Sequence, residues 1–476
     1  MKPDESAPFR GRLGRVFDLE KTWLLAFVVL VALTIDFSTD TPYLPGKWLG
    51  PFYGLGPATQ FTSAACAAVL CLLALLPLVG GRRRTPPTAA GGWTGVALSL
   101  LLLPAMLLSF FWSLPHIRPG WVVLGYVFIV PASLLVVVGA VRRWPPLRIA
   151  VVAALVGIAV RLVHFSSFPI DVGADMLPLT RSALDNFLAG RSPYAYHKVP
   201  ELVPLTYYPL TWLAYLPAYL AHIDLRFTNL VAELAIAAAV IYAGRRTRGS
   251  LVDACDDPSG CALLLWSMVF VLPSSVFFDR ITTAPVAWAL LAWTLALVAR
   301  RSRWDWLLAG LLAAATPLAA VLAPFLGLAW WSQLSRRRAI GCAVLAAAVA
   351  LLFIVPFYLW SPRGFVDGAV LWFNDLKRFP GTKWNAHQTW QRYVGFGGLF
   401  WRSGLQPWLA VIQWSLIAGI AVLYWRRGGA PRVLPAHVAS AFIAFMVFNS
   451  VHWPYFYQPA LLCGLVALAV ADASST

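Results

Sequence analysis

Charged residues are scarce in this chain. Asp, Glu, Lys and Arg together make up 12% of its 476 residues, while apolar residues make up 60%. A soluble domain carries about 25% charge and about 45–50% apolar residues. A water-soluble fold of this length would have too little charge to cover its surface, whereas a bilayer solvates apolar faces directly. Acid is scarcer than base: 20 Asp and Glu stand against 37 Lys and Arg, a net charge of +17. The basic residues fall in short clusters between hydrophobic runs, which is the positive-inside pattern and not a nucleic-acid footprint. No nucleic-acid partner is therefore expected. Cysteine is sparse as well. Cys66, Cys71, Cys342 and Cys463 lie inside apolar runs, and only Cys255 and Cys261 flank a polar stretch. No CxxC pair is present and no zinc-type spacing, so no metal site is predicted. Alternating segments of about ten residues, the mark of a membrane β-barrel, are missing too. So is a small-residue cleavage site after the first apolar run, which predicts a retained first helix behind a basic N-terminal segment.

Long apolar runs are what the chain has instead. A spanning helix needs about 20 mostly apolar residues. Helices are expected at about 22–37, 59–79, 93–114, 121–140 and 148–166. Further runs lie near 207–221, 227–243, 260–277, 283–299, 305–333, 339–360, 406–425, 434–450 and 455–472. The run at 305–333 is too long for one helix, and Thr316-Pro317 at its centre predicts two short ones, because Pro removes a backbone donor. The expected fold class is all-α: a polytopic membrane bundle of roughly fourteen helices with two ordered extracytoplasmic loops. Three parts are expected. They are a cytoplasmic segment over 1–21, a possible accessory module of membrane helices over 22–145, and a catalytic membrane module over 146–476 with outer loops 167–206 and 361–405.

Arginine clusters orient the chain. They lie at 82–84, 142–148, 245–248, 300–303, 336–338 and 426–432. Placing all six inside puts both termini in the cytoplasm of an inner or plasma membrane. Segments 167–206, 278–282, 361–405 and 449–457 then lie outside. Two full spans between 207 and 243 would carry Arg245 outside, so 207–221 is expected to lie along the outer interface.

The outer segments hold the candidate chemistry. Asp171 and Asp175 follow the fifth helix in Pro169-Ile170-Asp171-Val172-Gly173-Ala174-Asp175. Four residues apart, they share a face if helical. Either is suited to act as a general base toward a hydroxyl, or to cap the short amphipathic helix that runs from Asp175 to Ala189 and ends at Gly190. Arg280 sits in a tight turn between helices, where it serves as a phosphate partner or as a snorkelling interface residue. Lys377, Arg378 and Lys383, and then His387, Gln388 and Arg392, lie in the second loop, and His452 lies in Val451-His452-Trp453-Pro454-Tyr455. Such groups suit sugar and phosphate recognition through stacking and directional hydrogen bonds. Within the helices, Arg161 and His164 are expected to snorkel from the outer end of the fifth helix, and Glu233 to pair with Arg226.

One further pattern carries a family resemblance. An outer Asp precedes Gly190-Arg191-Ser192-Pro193-Tyr194 by about fifteen residues, and Tyr207-Tyr208-Pro209-Leu210 follows before the next apolar run. This order resembles the GT-C superfamily of integral-membrane glycosyltransferases, most closely the bacterial polyprenol-phosphate-mannose-dependent α-mannosyltransferases. The likeness is strongest over 165–245 and leaves the first four helices uncovered. It implies an inverting transfer of a sugar, mannose favoured, from a polyprenyl-phosphate donor to a hydroxyl of a glycan or glycolipid. It implies Asp175 as the base, with Asp171 second. Tyr194, Tyr207 and the basic groups above would serve the donor's phosphate and sugar. No cofactor is implied, and a divalent metal stays open. The chain departs from the family in its extra helices and in a single His where a pair is expected, which weakens the mannose reading more than the reaction type. Two other classes stay in view: a lipid-linked glycan flippase or transporter, and a glycan polymerase or ligase.

Overall fold

The computed structural model describes residues 119–142, 144–171, 175–199, 201–244, 258–372, 400, 403–405, 407–449 and 457–471. The accessory helices expected over 22–114 lie outside these residues.

The described chain is helical almost throughout. Two helices, α1 (Pro119–Val141) and α2 (Pro146–Ser167), lead to a shorter one, α3 (Met176–Leu188). A small antiparallel hairpin follows, β1 (Tyr196–Val199) and β2 (Glu201–Pro204), with His197 opposite Val203. Next come α4 (Pro209–Leu213), α5 (Leu216–Leu220), α6 (Arg226–Gly244), α7 (Pro258–Val271), α8 (Pro273–Ile281) and α9 (Ala284–Ala299). After them run α10 (Asp305–Ala315), α11 (Ala319–Gln333), α12 (Arg336–Trp360) and α13 (Pro362–Phe365), the last continuing into a π-helical turn over Val366–Leu371. The chain closes with α14 (Trp408–Arg426), α15 (Leu434–Val447) and α16 (Gln458–Ala471).

Four of these helices, α2, α6, α12 and α14, are long and apolar enough to cross a membrane, and six more apolar helices run 10–17 residues. This is the build of a helical membrane protein. The finer expectation of about fourteen spans is not reproduced among the described residues. The run at 207–221 breaks into α4 and α5, five residues each, at the proline-bearing starts Pro209 and Leu216-Pro217. The run at 260–277 breaks at Leu272-Pro273 into α7 and α8. The run at 305–333 breaks at Thr316-Pro317 into α10 and α11. In each case proline ends one ladder of hydrogen bonds and starts another.

Burial follows position in the bundle. In α9 twelve side chains are buried, among them Trp288, Leu291, Leu295 and Val298, whereas α12 buries only Ala339, Ala350 and Phe357. A helix apolar all round with one face buried presents the rest to lipid. Leu351, Leu352 and Leu359 of α12 are more than half exposed, at 53%, 70% and 69%.

Several helices end together at one end of the bundle. The C-terminus of α2 lies beside the N-terminus of α6, since the Arg226 guanidinium donates to the carbonyls of Phe165 and Phe168 at 2.7 and 2.8 Å. The C-terminus of α10 meets α4 through a Thr211 hydroxyl bonded to the Ala315 carbonyl at 2.5 Å. The C-terminal turns of α12 carry Phe357 and Trp360 against Phe187 of α3. The segment 167–206 rests on this end.

Candidate functional site

Asp175 opens α3, with helical backbone angles, and its carbonyl accepts the Leu179 amide at 2.7 Å. Its side chain makes no capping hydrogen bond to the helix amides. The carboxylate is therefore not used as an N-cap, the competing role for an Asp at this position. The helix holds its place by its apolar face: Leu177, Leu179, Ala183 and Leu184 are buried, while Arg181 and Asp185 are exposed. It stops at Gly190, whose φ of +69° is the left-handed conformation that glycine adopts without strain. There the Gly190 amide donates to Phe187 and the Arg191 amide to Asn186, a Schellman closure.

Asp175 lines a small cleft with Met176, Leu179, Val203, Thr206, Tyr207 and Trp372. The structure thus brings Asp175 and Tyr207 together. What holds Tyr207 there is Tyr194. Its ring is buried, and its hydroxyl donates to the Tyr207 carbonyl at 2.7 Å while accepting the Trp212 indole N–H at 3.3 Å. Burial raises the Tyr194 pKa far above the ordinary tyrosine value, so the phenol stays protonated and keeps donating. Phe365 packs on it at 4.8 Å between ring centroids. The two sequence motifs at 190–194 and 207–210 are therefore joined physically, with Tyr194 in a positioning role.

The hairpin is tied down by His197, which is buried. Its Nε2 lies 2.8 Å from the Pro193 carbonyl and its Nδ1 lies 2.8 Å from the Ser182 hydroxyl. A carbonyl only accepts, so Nε2 carries the proton and Nδ1 accepts from Ser182. Burial pushes the imidazole pKa below its usual value, in keeping with that neutral tautomer.

Asp171 stands exposed beyond the end of α2. Arg280, at the end of α8, is buried, with its guanidinium carbon 4.2 Å from the Phe168 ring centroid. It packs inward and does not snorkel. Lys377, Arg378, Lys383, His387, Gln388, Arg392 and His452 lie outside the described residues. Among the described residues no group of three His, Cys, Asp or Glu is placed to hold a metal.

A second opening, of about 600 Å³, lies next to these elements. It is bounded by Phe165–Ile170 at the end of α2, by Arg181 of α3, and by Tyr219 and the turn His222–Arg226 before α6.

Two expectations about intrahelical charge are corrected. Arg161 does not snorkel: it is fully buried, and its Nε donates to Asp279 Oδ2 at 2.6 Å and its Nη1 to the Phe270 carbonyl at 2.7 Å. His164 is likewise buried, stacked on Phe168. An isolated charge in a bundle interior is costly, so a partner inside wins over a reach for the interface. Nor does Arg226 pair with Glu233. It takes Asp224, two residues away, with its Nε 2.9 Å from Oδ1. Glu233 instead lies within the electrostatic reach of Asp279 and Arg161. Asn229 extends this network, donating to the carbonyls of Asp279 and Thr282 at 2.7 and 2.8 Å and accepting from the Tyr215 hydroxyl. The sequence carried a signal for the network. Arg161 and Glu233 are charges within apolar runs and each demands a partner, but nothing local in the sequence names Asp279 as that partner.

Compared with protein-family models, with curated proteins and with solved structures, the chain matches none of them.

Proposed function

We propose that this chain is a membrane-embedded, inverting glycosyltransferase. It moves a sugar, mannose favoured, from a polyprenyl phosphate to a hydroxyl of a glycan or glycolipid on the extracytoplasmic side. Asp175 is the general base, with Asp171 as the second candidate. One observation carries the reading: the Asp175 side chain does not cap its helix, and Asp175 lines a small cleft with Tyr207, at the end of the bundle where α2 and α12 finish and α6 begins.

A single displacement at the anomeric carbon needs one base on the acceptor hydroxyl. The leaving group is already a phosphate, so what it needs is positive charge and hydrogen bonds as it departs. Arg280 is the described candidate for that task, with Lys377, Arg378, His387, Gln388, Arg392 and His452 as the others. In this reading both termini lie in the cytoplasm of an inner or plasma membrane, with 22–145 as an accessory module and 146–476 as the catalytic one. The test is direct. Purified protein is incubated with radiolabelled polyprenyl-phosphate sugars and a mixed glycan and glycolipid acceptor pool. Label should move to an acceptor, and retention of all label on the polyprenyl phosphate across a panel of sugars would remove the proposal.

One observation favours a second reading, a lipid-linked glycan transporter. The polar network of Arg161, Asp279, Asn229 and Glu233 is buried between helices and not in a loop, as transporter sites are, although it lies nearer one end of the helices than their middle. Reconstituted vesicles that translocate a lipid-linked glycan without any sugar transfer would decide for it.

A further inference from the structure

The 600 Å³ opening between α2, α3 and the turn before α6 takes no part in the scheme above. Its lining groups divide into those already engaged and those left over. Asp224 is taken by Arg226, whose Nε is 2.9 and 3.0 Å from its two oxygens. Arg226 itself uses two further donors on the Phe165 and Phe168 carbonyls. The Tyr219 hydroxyl donates to Asp185. Not used in hydrogen bonds among the described residues are the Arg181 guanidinium, which lies within electrostatic reach of Tyr219, the His222 imidazole, and the Ser167 hydroxyl, which is buried without a partner. All three donate hydrogen bonds, and no uncommitted carboxylate lines the opening. His222 adds a conformational argument. Its φ is +55°, and it closes α5 with its own amide on Tyr219 and that of Ile223 on Ala218. Glycine is the easier residue at such a helix end, so a histidine there places an imidazole at the opening at some cost in backbone strain.

The surroundings choose the ligand class. The opening lies where two membrane-length helices end, α2 at its C-terminus and α6 at its N-terminus. Apolar side chains exposed to the outside run along both from that point: Leu162 on α2, and Phe227 and Val231 on α6. Phe165 and Phe227 join the two helices edge to face, 5.9 Å between centroids. A donor-lined opening above an apolar, lipid-facing flank fits an anionic headgroup with its chains along the helices.

We infer that this opening binds the phosphate headgroup of a membrane lipid, held by Arg181 and His222, with the acyl chain along α2 and α6. The inference does not depend on sugar transfer. Its test reads binding alone, so its failure and the failure of the glycosyltransferase reading are separate results.

The probe is phosphatidylglycerol, titrated into delipidated protein in detergent and followed by native mass spectrometry. Diacylglycerol with the same acyl chains and inorganic phosphate are run alongside. Phosphatidylglycerol should bind at least about tenfold more tightly than diacylglycerol. Arg181→Gln and His222→Gln should each weaken it, Arg181→Gln by about tenfold, the worth of one charge-assisted hydrogen bond. Arg301→Gln, an exposed arginine beyond the far end of α9, should leave it unchanged. Inorganic phosphate should compete only at much higher concentration, since it lacks the chains. Equal binding of diacylglycerol, wild-type affinity in the Arg181→Gln/His222→Gln double variant, or competition by phosphate at the lipid's own concentration would each overturn the inference. Both variants replace exposed side chains, and an unchanged melting temperature confirms that folding is intact.

Discussion

At the scale of single residues the decisive group is the Asp175 carboxylate. Asp175→Asn keeps its size and most of its hydrogen bonding but cannot accept a proton. General-base help is worth about 10²- to 10⁴-fold, so transfer should fall at least about a hundredfold. Asn caps helices as well as Asp does, and the Asp175 side chain makes no cap bond, so the melting temperature should hold. Asp171→Asn should be milder, because Asp171 lies outside the cleft that Asp175 shares with Tyr207. Wild-type turnover in both variants would leave the glycosyltransferase reading without its base. The Arg161–Asp279 pair makes a different residue-scale statement, about stability. Its side chains are 0% and 1% exposed. Asp279→Asn strands a buried guanidinium, and breaking one side of a buried pair costs about 3–5 kcal/mol. Removing both charges, as in Arg161→Met with Asp279→Leu, should recover much of that loss. Thermal unfolding in detergent reads both, and a double variant no more stable than Asp279→Asn would show that the pair adds stability beyond mutual neutralisation.

At the scale of elements, the site depends on how closely α13 approaches the motif that holds Tyr207. A Cβ built on Gly364 would collide with the backbone carbonyl of Tyr194, and one on Gly368 with that of Leu205. Backbone cannot rotate away, so Gly364→Ala must push α13 off the turn. Overpacking of this kind costs about 1–3 kcal/mol, and the displaced turn should take activity with it. Gly327, inside α11, has nothing within 4 Å of its Cβ position. Gly327→Ala should be neutral or stabilising, by roughly 0.5–1 kcal/mol from helix propensity. Equal melting temperatures for the two variants would contradict the close approach. The same contrast explains what could be read from the chain beforehand. The end of α3 at Gly190 and the break at Thr316-Pro317 are local, written in one or two residues, and were legible. The hairpin over 196–204 was not. Its strands are four residues each around Pro200, too short to show alternation. α8 was hidden inside an apolar run because only Pro273 marks its start. The Arg161–Asp279 bond joins residues 118 apart in the chain, and no local pattern encodes a partner at that distance. The link from Tyr194 to Tyr207 lay between two motifs noted for their spacing, but the direction of the bond, phenol to backbone carbonyl, depends on a buried ring that only packing reveals.

At the scale of the whole molecule the question is which end of the bundle faces outward, and α12 supplies the ruler. It runs from Arg336 to Trp360, 25 residues, or about 37 Å at 1.5 Å per residue, long enough to cross a hydrocarbon core of about 30 Å. Its two ends differ in chemistry. At one end Arg336, Arg337 and Arg338 are exposed beside Trp331. At the other, Tyr358 and Trp360 are 43% and 44% exposed, and among the described residues no cluster of cations follows them. Helix α14 repeats the pattern, with exposed Trp408 at its start and exposed Trp425 before Arg426 and Arg427 at its end. Tryptophans at both ends suit interfacial belts, and the topology proposed above puts the arginine-bearing end in the cytoplasm. Ser335 precedes the arginines of α12, while Ser192 belongs to the turn whose Tyr194 packs on Phe357, near the opposite end. In the proposed topology the two serines mark opposite sides of the membrane. Cysteine placed at Ser192 should react with an impermeant thiol reagent in intact cells, and cysteine at Ser335 only after the cells are opened. The native cysteines give the background, which the parent protein measures in the same assay. The reverse pattern would put the Asp175 cleft in the cytoplasm, where a donor head group presented on the outer face could not reach it. Labelling of both in intact cells would mean that α12 does not cross the membrane at all, and its exposed leucines would then need another partner.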